Sequence, residues 1–428
     1  MIKENYQSGF GNHFSTEALP GALPADQNSP QVAPLGLYAE QLSGSAFTVQ
    51  RGFNLYSWLY RIRPSVMQSR FQREESLTQK SFAKAKHLDP NQMRWNPMPA
   101  LKGNFLEGLR AVASSGSSEE QKGIQVLLYS FSEPMKNNFF MNADGDFLVV
   151  PQQGRLEVKT ELGKLEVEPG EIALIPRGIK FQINSLDGKP CSGYVGENFG
   201  QPFRLPELGP IGANGLAHRR HFLAPVANFE DLEGDFKVYG KFGGEVWSAS
   251  LKHSPLDVVA WHGTYTPYKY DLRKFNTMNT VSFDHPDPCI FTVLTSPSDT
   301  PGMANIDFAI FPPRWMTAEN TFRPPYFHRN IMSEYMGLIY GEYDAKIGGG
   351  FVPGGGSLHN FFSAHGPDVT TFETASHAEL KPMKIDSTMA FMFECRYPYK
   401  VTDMALGKDF LQSDYQDCWQ GFTKHFKK

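Results

Sequence analysis

Short apolar runs separated by turn residues recur along the chain and predict β-strands. From residue 123 these runs are GIQVLLYSF, DFLVVPQQG, RLEVKTE, GKLEVEPG, EIALIPRG and IKFQI. Several of them alternate apolar with polar residues, and Gly, Pro or Asp marks the turns between them. Because strands that follow one another so closely pair in antiparallel fashion, this region is predicted to form a meander or a jelly roll.

A second block of apolar runs begins near residue 281. It contains TVSFDHPDPCIFTVLT, IDFAIFPPRW, YMGLIYGEY and MAFMFECRY. Because the two blocks are patterned alike and long helical periods are scarce, we predict an all-β dominated fold of two β-rich domains with few short helices. The boundary is placed after residue 275, which gives an N-terminal domain of residues 1–275 and a C-terminal domain of residues 276–428.

Two segments have a different character. The stretch AVASSGSSEEQKG, residues 111–123, is small, polar and charged, which predicts a mobile loop tip before the first strand of the meander. The C-terminal stretch SDYQDCWQGFTKHFKK predicts an amphipathic helix that docks on the body or on a neighbouring subunit. Its large residues at helical spacing are Tyr415, Cys418, Trp419, Phe422 and Phe426.

Composition narrows the classes of function. Of the 428 residues 40% are hydrophobic and 20% charged, with 34 Phe and 17 Tyr, which is typical of a well-buried globular protein. The formal net charge is -4 and no basic block is present, so the electrostatic pattern of a nucleic-acid binder is missing. Small molecules or protein partners fit this composition better.

The cysteines and the first residues bear on the compartment. Four cysteines are scattered without CxxC pairing, which argues against a disulfide framework and against a structural zinc site. The first residues contain no signal-peptide apolar region, and no window approaches the length of an apolar membrane span. We therefore expect a cytoplasmic protein without a membrane segment.

The candidate chemistry lies in PPYFHRNIMSEYMGLIYGEY, residues 324–343, where His328, Asn330 and Glu334 form an HxNxxxE pattern. On a strand these three positions face the same way, but the first and last would stand about 20 Å apart. A shared site therefore requires a bend, which we place at residues 332–333, with Glu334 starting the returning strand.

This pattern resembles the HxHxxxE metal motif of small jelly-roll barrels of the cupin type, with asparagine in place of the second histidine. A third ligand can come from FVPGGGSLHNFFSAHGPD, where His359 and His365 both qualify and cupin spacing favours His359. Two histidines and one carboxylate would form a facial triad, which leaves positions open on iron(II). The alternative to metal binding is that each histidine is an ordinary hydrogen-bonded structural residue.

The N-terminal half carries the turn of the second cupin motif, but without its ligand. In GEIALIPRGIKF, Pro176 and Gly178 are present and Phe181 stands where the histidine would be. The preceding MNADGDF contains no histidine either. We therefore predict a first barrel that serves as a scaffold without a metal. The histidines of HRRH, residues 218–221, are interpreted as solvated surface.

Over essentially its whole length the chain resembles the homogentisate 1,2-dioxygenase family. The resemblance rests on collinear segments from YQSGFGNHFSTEALPGALP through YAEQLSGSAFT, WLYRIRPS, MNADGDFLVVPQ, GPIGANGLA, FDHPDP, PPYFHRNIMSE and PGGGSLH. It implies that His328, Glu334 and His365 hold Fe(2+), so that His365 takes the place that generic spacing gives to His359. His359 then becomes a residue that supports the ligands or faces the substrate.

The resemblance also implies the remaining roles. His285 in FDHPDP is the acid/base histidine, and Tyr343 and His365 contact the substrate. The expected reaction opens the ring of homogentisate with O2 to give 4-maleylacetoacetate, a step of tyrosine and phenylalanine catabolism, in a homo-hexamer made of two trimers. The alternatives are a cupin that cleaves a related hydroquinone such as gentisate, and a non-catalytic cupin.

Overall fold

The computed structural model describes residues 5–209, 212, 215–284, 291–343 and 350–428. The predicted all-β class is confirmed, because strands dominate these residues. The strands up to residue 200 are β1 (Tyr6–Ser8), β2 (Phe14–Glu17), β3 (Tyr38–Ser43), β4 (Tyr56–Arg61), β5 (Gln72–Arg73), β6 (His87–Leu88), β7 (Met93–Trp95), β8 (Leu109–Ser117), β9 (Lys122–Phe131), β10 (Asn138–Asn142), β11 (Asp146–Gln153), β12 (Leu156–Thr160), β13 (Gly163–Val167), β14 (Glu171–Ile175), β15 (Lys180–Ser185) and β16 (Cys191–Asn198).

The remaining strands are β17 (Phe222–Pro225), β18 (Glu233–Phe242), β19 (Glu245–His253), β20 (Val258–Gly263), β21 (Tyr268–Asp271), β22 (Thr292–Pro297), β23 (Ala304–Phe311), β24 (Arg314–Met316), β25 (Ser333–Tyr340), β26 (Gly356–His359), β27 (Met383–Ile385), β28 (Met389–Cys395) and β29 (Lys400–Val401). The α-helices in the described residues are short: α1 (Glu75–Ser81), α2 (Phe105–Gly108) and α3 (Val369–Ser376). Single 3-10 turns are found at Pro34–Gly36, Arg51–Phe53, Arg219–His221, Leu272–Lys274, Met404–Leu406 and Tyr415–Trp419. None of the helices in the described part of the chain has both the length and the apolar character needed to cross a membrane.

A ten-stranded sheet lies at the centre of the fold, in the order β1-β17-β21-β14-β11-β16-β9-β8-β29-β6. Its strand β9 is buried at every position after the first. On one face, Phe147 contacts Phe140 and Phe181 of the seven-stranded sheet β13-β12-β15-β10-β18-β19-β5. On the other face, Tyr194 packs edge-on against Phe391 of a six-stranded sheet. Burial on both faces explains why apolar residues dominate β9 instead of alternating with polar ones.

The six-stranded sheet has the order β22-β23-β28-β25-β26-β7. Its edge strand β7 comes from the first hundred residues, and the late strand β29 pairs with β8 in the central sheet. The largest hydrophobic cluster contains residues from both halves of the sequence. The boundary after residue 275 stays a prediction, but the two halves exchange strands across it.

The prediction of a mobile loop at residues 111–123 is wrong. Strands β8 and β9 form a hairpin there, and only the four residues 118–121 lie between them. Ala111, Val112 and Ala113 are buried, and a Cβ on Gly116 would lie 2.1 Å from the Lys122 carbonyl oxygen. The small residues that resembled a loop are needed because the two strands approach closely.

The predicted C-terminal amphipathic helix is also wrong. Only Tyr415–Trp419 is helical, as a single 3-10 turn, and no regular element follows it. Gly421 interrupts the helical spacing, and the large side chains are held by separate tertiary contacts. The Trp419 indole donates to the Pro367 carbonyl oxygen at 3.1 Å, and Phe426 is exposed. The segment does dock on the body, as predicted.

Candidate metal centre

Three predicted ligands meet on one side of the six-stranded sheet. His328, Glu334 and His365 each offer one ligand atom, and these atoms all lie within 4.8 Å of one another. The two carboxylate oxygens of Glu334 face different histidines. Oε2 lies 3.0 Å from His365 Nε2, and Oε1 lies 3.9 Å from His328 Nε2. Donors about 3.0 Å apart fit neighbouring corners around one ion with bonds of about 2.1 Å.

The backbone explains how residues six and thirty-seven positions apart come together. The two histidines exchange both backbone hydrogen bonds, with His328 N to His365 O at 3.0 Å and the reverse bond at 3.2 Å. The chain then bends, and Glu334 follows at the start of β25. The predicted bend and returning strand are therefore confirmed, but the bend lies at residues 331–332 and the strand already begins at Ser333.

Backbone acceptors fix which ring nitrogens face the centre. His328 Nδ1 lies 2.7 Å from the Tyr326 carbonyl oxygen, and His365 Nδ1 lies 2.9 Å from that of Ser363. Because a carbonyl oxygen can only accept, we assign the hydrogen to Nδ1 in both rings, which leaves Nε2 as the ligand atom. His365 Nε2 and the Glu334 carboxylate then face each other as two acceptors, an arrangement that needs a proton or a metal cation between them.

The carboxylates at the centre differ in their pKa. Burial raises the pKa of Glu334, but hydrogen bonding and charge from His365 outweigh it, so the net pKa lies below the ordinary value. Burial, followed by the negative charge of Glu334, raises the pKa of Glu394 to about 7. Glu394 is the register partner of Glu334 on β28. Glu334 is therefore the carboxylate that carries a negative charge at neutral pH and can serve as the charged ligand.

Glu394 was missed by the sequence analysis. The available signal was a single carboxylate in the apolar run MAFMFECRY, which is the same kind of signal that drew attention to Glu334. What the sequence does not contain is the register that places the two glutamates side by side.

His359 lies directly behind one ligand. Its ring stacks on His365 with centroids 3.9 Å apart and an interplanar angle of 9°. Its Nε2 lies 2.8 Å from the Tyr415 hydroxyl, and the Arg94 guanidinium sits 3.8 Å above the Tyr415 ring. His359 is buried and is not part of the three-residue group, so the geometry gives it a supporting place. Nothing in the sequence pattern linked Arg94 and Tyr415 to this region.

A cavity of about 390 Å³ opens beside the two histidines. Aromatic rings from two distant segments form much of its wall, and Arg329 contributes a positive charge. The lining residues are Phe327, His328, Arg329, Ala364, His365, Trp419 and Phe422. The C-terminal segment thus contributes two aromatic side chains to the wall of the cavity.

The two other predicted site residues are placed differently. Tyr343 is buried edge-on against Phe311 and Phe351 and is not among the residues that line this cavity. His285 lies outside the described residues. His218 caps the 3-10 turn Arg219–His221. Arg219 and Arg220 are exposed, whereas the two histidines are half-buried, so the predicted solvated surface holds for the arginines only.

Comparisons with known proteins identify the family. The model described as homogentisate 1,2-dioxygenase N-terminal matches residues 5–272, and the one described as homogentisate 1,2-dioxygenase C-terminal matches residues 273–426. Two proteins of Rhodopseudomonas palustris named homogentisate 1,2-dioxygenase are similar over 99% of this chain and 95% of their own length. The identity is 56% for strain BisB5 and 57% for strain BisB18.

Likeness to solved structures is weak. A variant of Bacillus subtilis oxalate decarboxylase matches 74% of this chain and 81% of its own, with 10% identity and a TM-score of 0.31. A cupin-2 domain protein from Shewanella frigidimarina matches 18% of this chain and 70% of its own, with 19% identity and a TM-score of 0.16. These scores carry no inference about function. The family models that match both halves and the relatives that are similar over nearly the full length show that the chain belongs to the homogentisate 1,2-dioxygenase family.

Proposed function

We propose that the protein opens the aromatic ring of homogentisate with O2 to give 4-maleylacetoacetate. The observation that supports this most directly is the group of two histidines and one glutamate beside an aromatic-lined cavity, in a chain of this family. Homogentisate is a dihydroxyphenylacetate, so its ring suits the aromatic wall and its carboxylate suits a nearby positive charge such as Arg329.

The metal assigned to this group is Fe(2+). His328, Glu334 and His365 would hold it, because one charged carboxylate and two imidazole nitrogens suit a divalent transition metal better than the oxygen-only sites of magnesium or calcium. Three protein ligands leave positions for two reactants. When bound, iron(II) supplies the redox chemistry that joins the electron-rich ring to dioxygen.

The remaining roles belong to side chains of this chain. We assign His285 to proton transfer, because a histidine titrates near neutral pH and can accept the substrate hydroxyl proton and later return it. The family resemblance assigns the Tyr343 hydroxyl to substrate orientation, although Tyr343 packs against Phe311 and Phe351 and does not line the cavity described above. His365 contacts the substrate from the ligand side. His359 supports His365 by ring stacking and is itself held by the Tyr415 hydroxyl.

Assembly and location complete the proposal. Several large apolar side chains are strongly exposed in the single chain, including Val32, Phe47, Phe53 and Val66. Exposed apolar groups of this size favour burial between subunits, which supports an oligomer. The homo-hexamer made of two trimers is carried over from the family resemblance. A cytoplasmic location fits the unpaired cysteines Cys191 and Cys395, which are both buried and free.

The deciding experiment measures oxygen uptake after anaerobic reconstitution with iron(II). We expect uptake with homogentisate, formation of maleylacetoacetate, and little uptake with gentisate. Uptake with gentisate alone would replace the substrate assignment. Absence of iron binding together with absence of uptake on either hydroquinone would favour a non-catalytic cupin.

A further inference from the structure

The side chain of Asn330 lies between two carboxylates at the candidate metal centre. Its amide nitrogen donates to Glu334 Oε1 at 2.9 Å and also to Glu394 Oε1. Its own oxygen accepts from the Met332 backbone N–H at 3.0 Å. One amide thus links both buried glutamates to the bend that precedes β25.

The direction of the amide follows from these partners. The Met332 N–H is a donor, so it requires the oxygen of Asn330, whereas the carboxylates are acceptors and require the two N–H hydrogens. Rotating the amide by half a turn would place its oxygen against the carboxylates and its nitrogen against a donor. The backbone around it is held as well, because Phe362 N–H donates to the Asn330 carbonyl oxygen at 2.7 Å.

This bond makes the two oxygens of Glu334 inequivalent. Oε1 accepts from Asn330, and Oε2 faces His365 Nε2 at 3.0 Å. We propose that Asn330 is a positioning residue that fixes the rotation of the Glu334 carboxylate, so that one oxygen is presented to the metal and the other is kept away from it. The inference rests on the proposed metal-binding role of Glu334.

The arrangement matters for a centre that must take two reactants. A carboxylate that binds through both oxygens fills one more position on the ion than a carboxylate that binds through one. By engaging Oε1, Asn330 keeps that position available. Outer residues of this kind set the orientation of ligands, and their loss typically lowers metal affinity by about 10- to 100-fold.

The chain contains a matched control. Asn142 donates from its amide nitrogen to buried Glu197 Oε1 at 2.7 Å, and its oxygen accepts from the backbone N–H two residues later, at Asp144. The two asparagines therefore have the same local geometry and the same type of partner. Asn142 lies in the N-terminal half, and its partner Glu197 is neutralised by Lys241, at 2.7 Å.

The test compares Asn330→Ala with Asn142→Ala in the full-length chain. Affinity for iron(II) is measured anaerobically, the visible spectrum is recorded with cobalt(II), and thermal unfolding is followed without metal. We expect Asn330→Ala to bind iron about 10- to 100-fold more weakly and to change the cobalt spectrum. Asn142→Ala should lose stability but keep the parent affinity and spectrum. Asn330→Ser serves if Asn330→Ala does not fold, because its hydroxyl can still accept from Met332 N–H.

The outcomes separate this inference from the proposed function. If the parent binds no iron, the assignment of the metal centre fails. If the parent binds iron and Asn330→Ala and Asn330→Ser match its affinity and spectrum, only the positioning role is overturned. Equal weakening in the Asn142→Ala control would show a general stability effect and would also overturn it.

Discussion

Two seven-residue stretches, FMNADGD at 140–146 and HRNIMSE at 328–334, have the same layout but different chemistry. Each has an asparagine at its third position and a carboxylate at its seventh. The first stretch leads into β11 of the ten-stranded sheet, and the second leads into β25 of the six-stranded sheet. The first position is phenylalanine in one and histidine in the other. Phe140 of the first stretch contacts Phe181 with ring centroids 5.6 Å apart, whereas His328 of the second stretch contacts His365 with ring centroids 4.1 Å apart.

The two halves of the chain provide different partners for their buried carboxylates. Near the first stretch, Arg177 pairs with Asp146, and Lys241 pairs with Asp144 and Glu197. Near the second, the side chains that face the Glu334 carboxylate are the histidines His328 and His365 and not lysine or arginine. A buried carboxylate requires a counter-charge. The first half carries its own as side chains, and in the second half the proposed metal ion would supply it.

The largest effect is expected for Glu334→Gln, which keeps the shape of the side chain and removes its charge. Iron affinity should fall by at least about 100-fold, the upper end of what changes outside the ligand set cost, and oxygen uptake should disappear. Iron content after anaerobic reconstitution and uptake on homogentisate measure both. A variant that retains iron and turnover would show that the cation sits elsewhere.

His285→Gln should leave iron in place and slow turnover. Loss of a positioned acid/base group typically costs about 10²- to 10⁴-fold in rate. Oxygen uptake is compared with iron content in the same preparation. His262→Gln provides the control, because His262 hydrogen-bonds Tyr60 and His13 away from the metal centre. If His285→Gln turned over homogentisate as fast as the His262→Gln control, His285 would have no role in proton transfer.

Lys241→Met should destabilise the fold without touching the metal. Removing one member of a buried ion pair leaves Asp144 and Glu197 without their cation, which typically costs about 3–5 kcal/mol. Urea unfolding of the metal-free protein measures the loss, and adding Glu197→Gln should recover part of it. The comparison between the halves breaks if iron affinity falls while stability is unchanged.

Phe181→His should fail to create a second metal centre. The new ring would face Phe140 and Phe147, and Asp146 is already engaged by Arg177. We expect one iron per chain, as in the parent, and a loss of stability of about 1–3 kcal/mol from the buried polar ring. Metal analysis and thermal unfolding test both. Two irons per chain would show that a single residue separates the two halves.

The smallest effect is expected for Tyr415→Phe. Loss of one buried hydrogen bond to His359 should cost about 0.5–1.5 kcal/mol and lower iron affinity only slightly. Thermal unfolding and iron titration measure the two effects. A large fall in affinity would place Tyr415 among the determinants of the centre rather than among its supports.

Local pattern predicted the strands and the bend at the centre, because apolar alternation and the spacing of His328 and Glu334 are properties of short stretches. Residues 111–123 were mistaken for a loop, since small residues serve tight hairpins as well as loops. The tail was mistaken for a helix, since tertiary contacts of Tyr415 and Trp419 outweigh its periodicity. Glu394 and Arg94 depend on strand register across the chain, which no local pattern contains.

The edge strand β7 has a consequence for the order in which the protein is made. Arg94 of β7 is translated well before Tyr415, on which its guanidinium rests. The strand β26, which pairs with β7, lies between these two residues in the sequence, as do the other strands of the six-stranded sheet. The β7 segment must therefore stay available until β26 and then Tyr415 have been translated. The support that Tyr415 gives to His359 can consequently form only after the strands that lie between Arg94 and Tyr415 in the sequence.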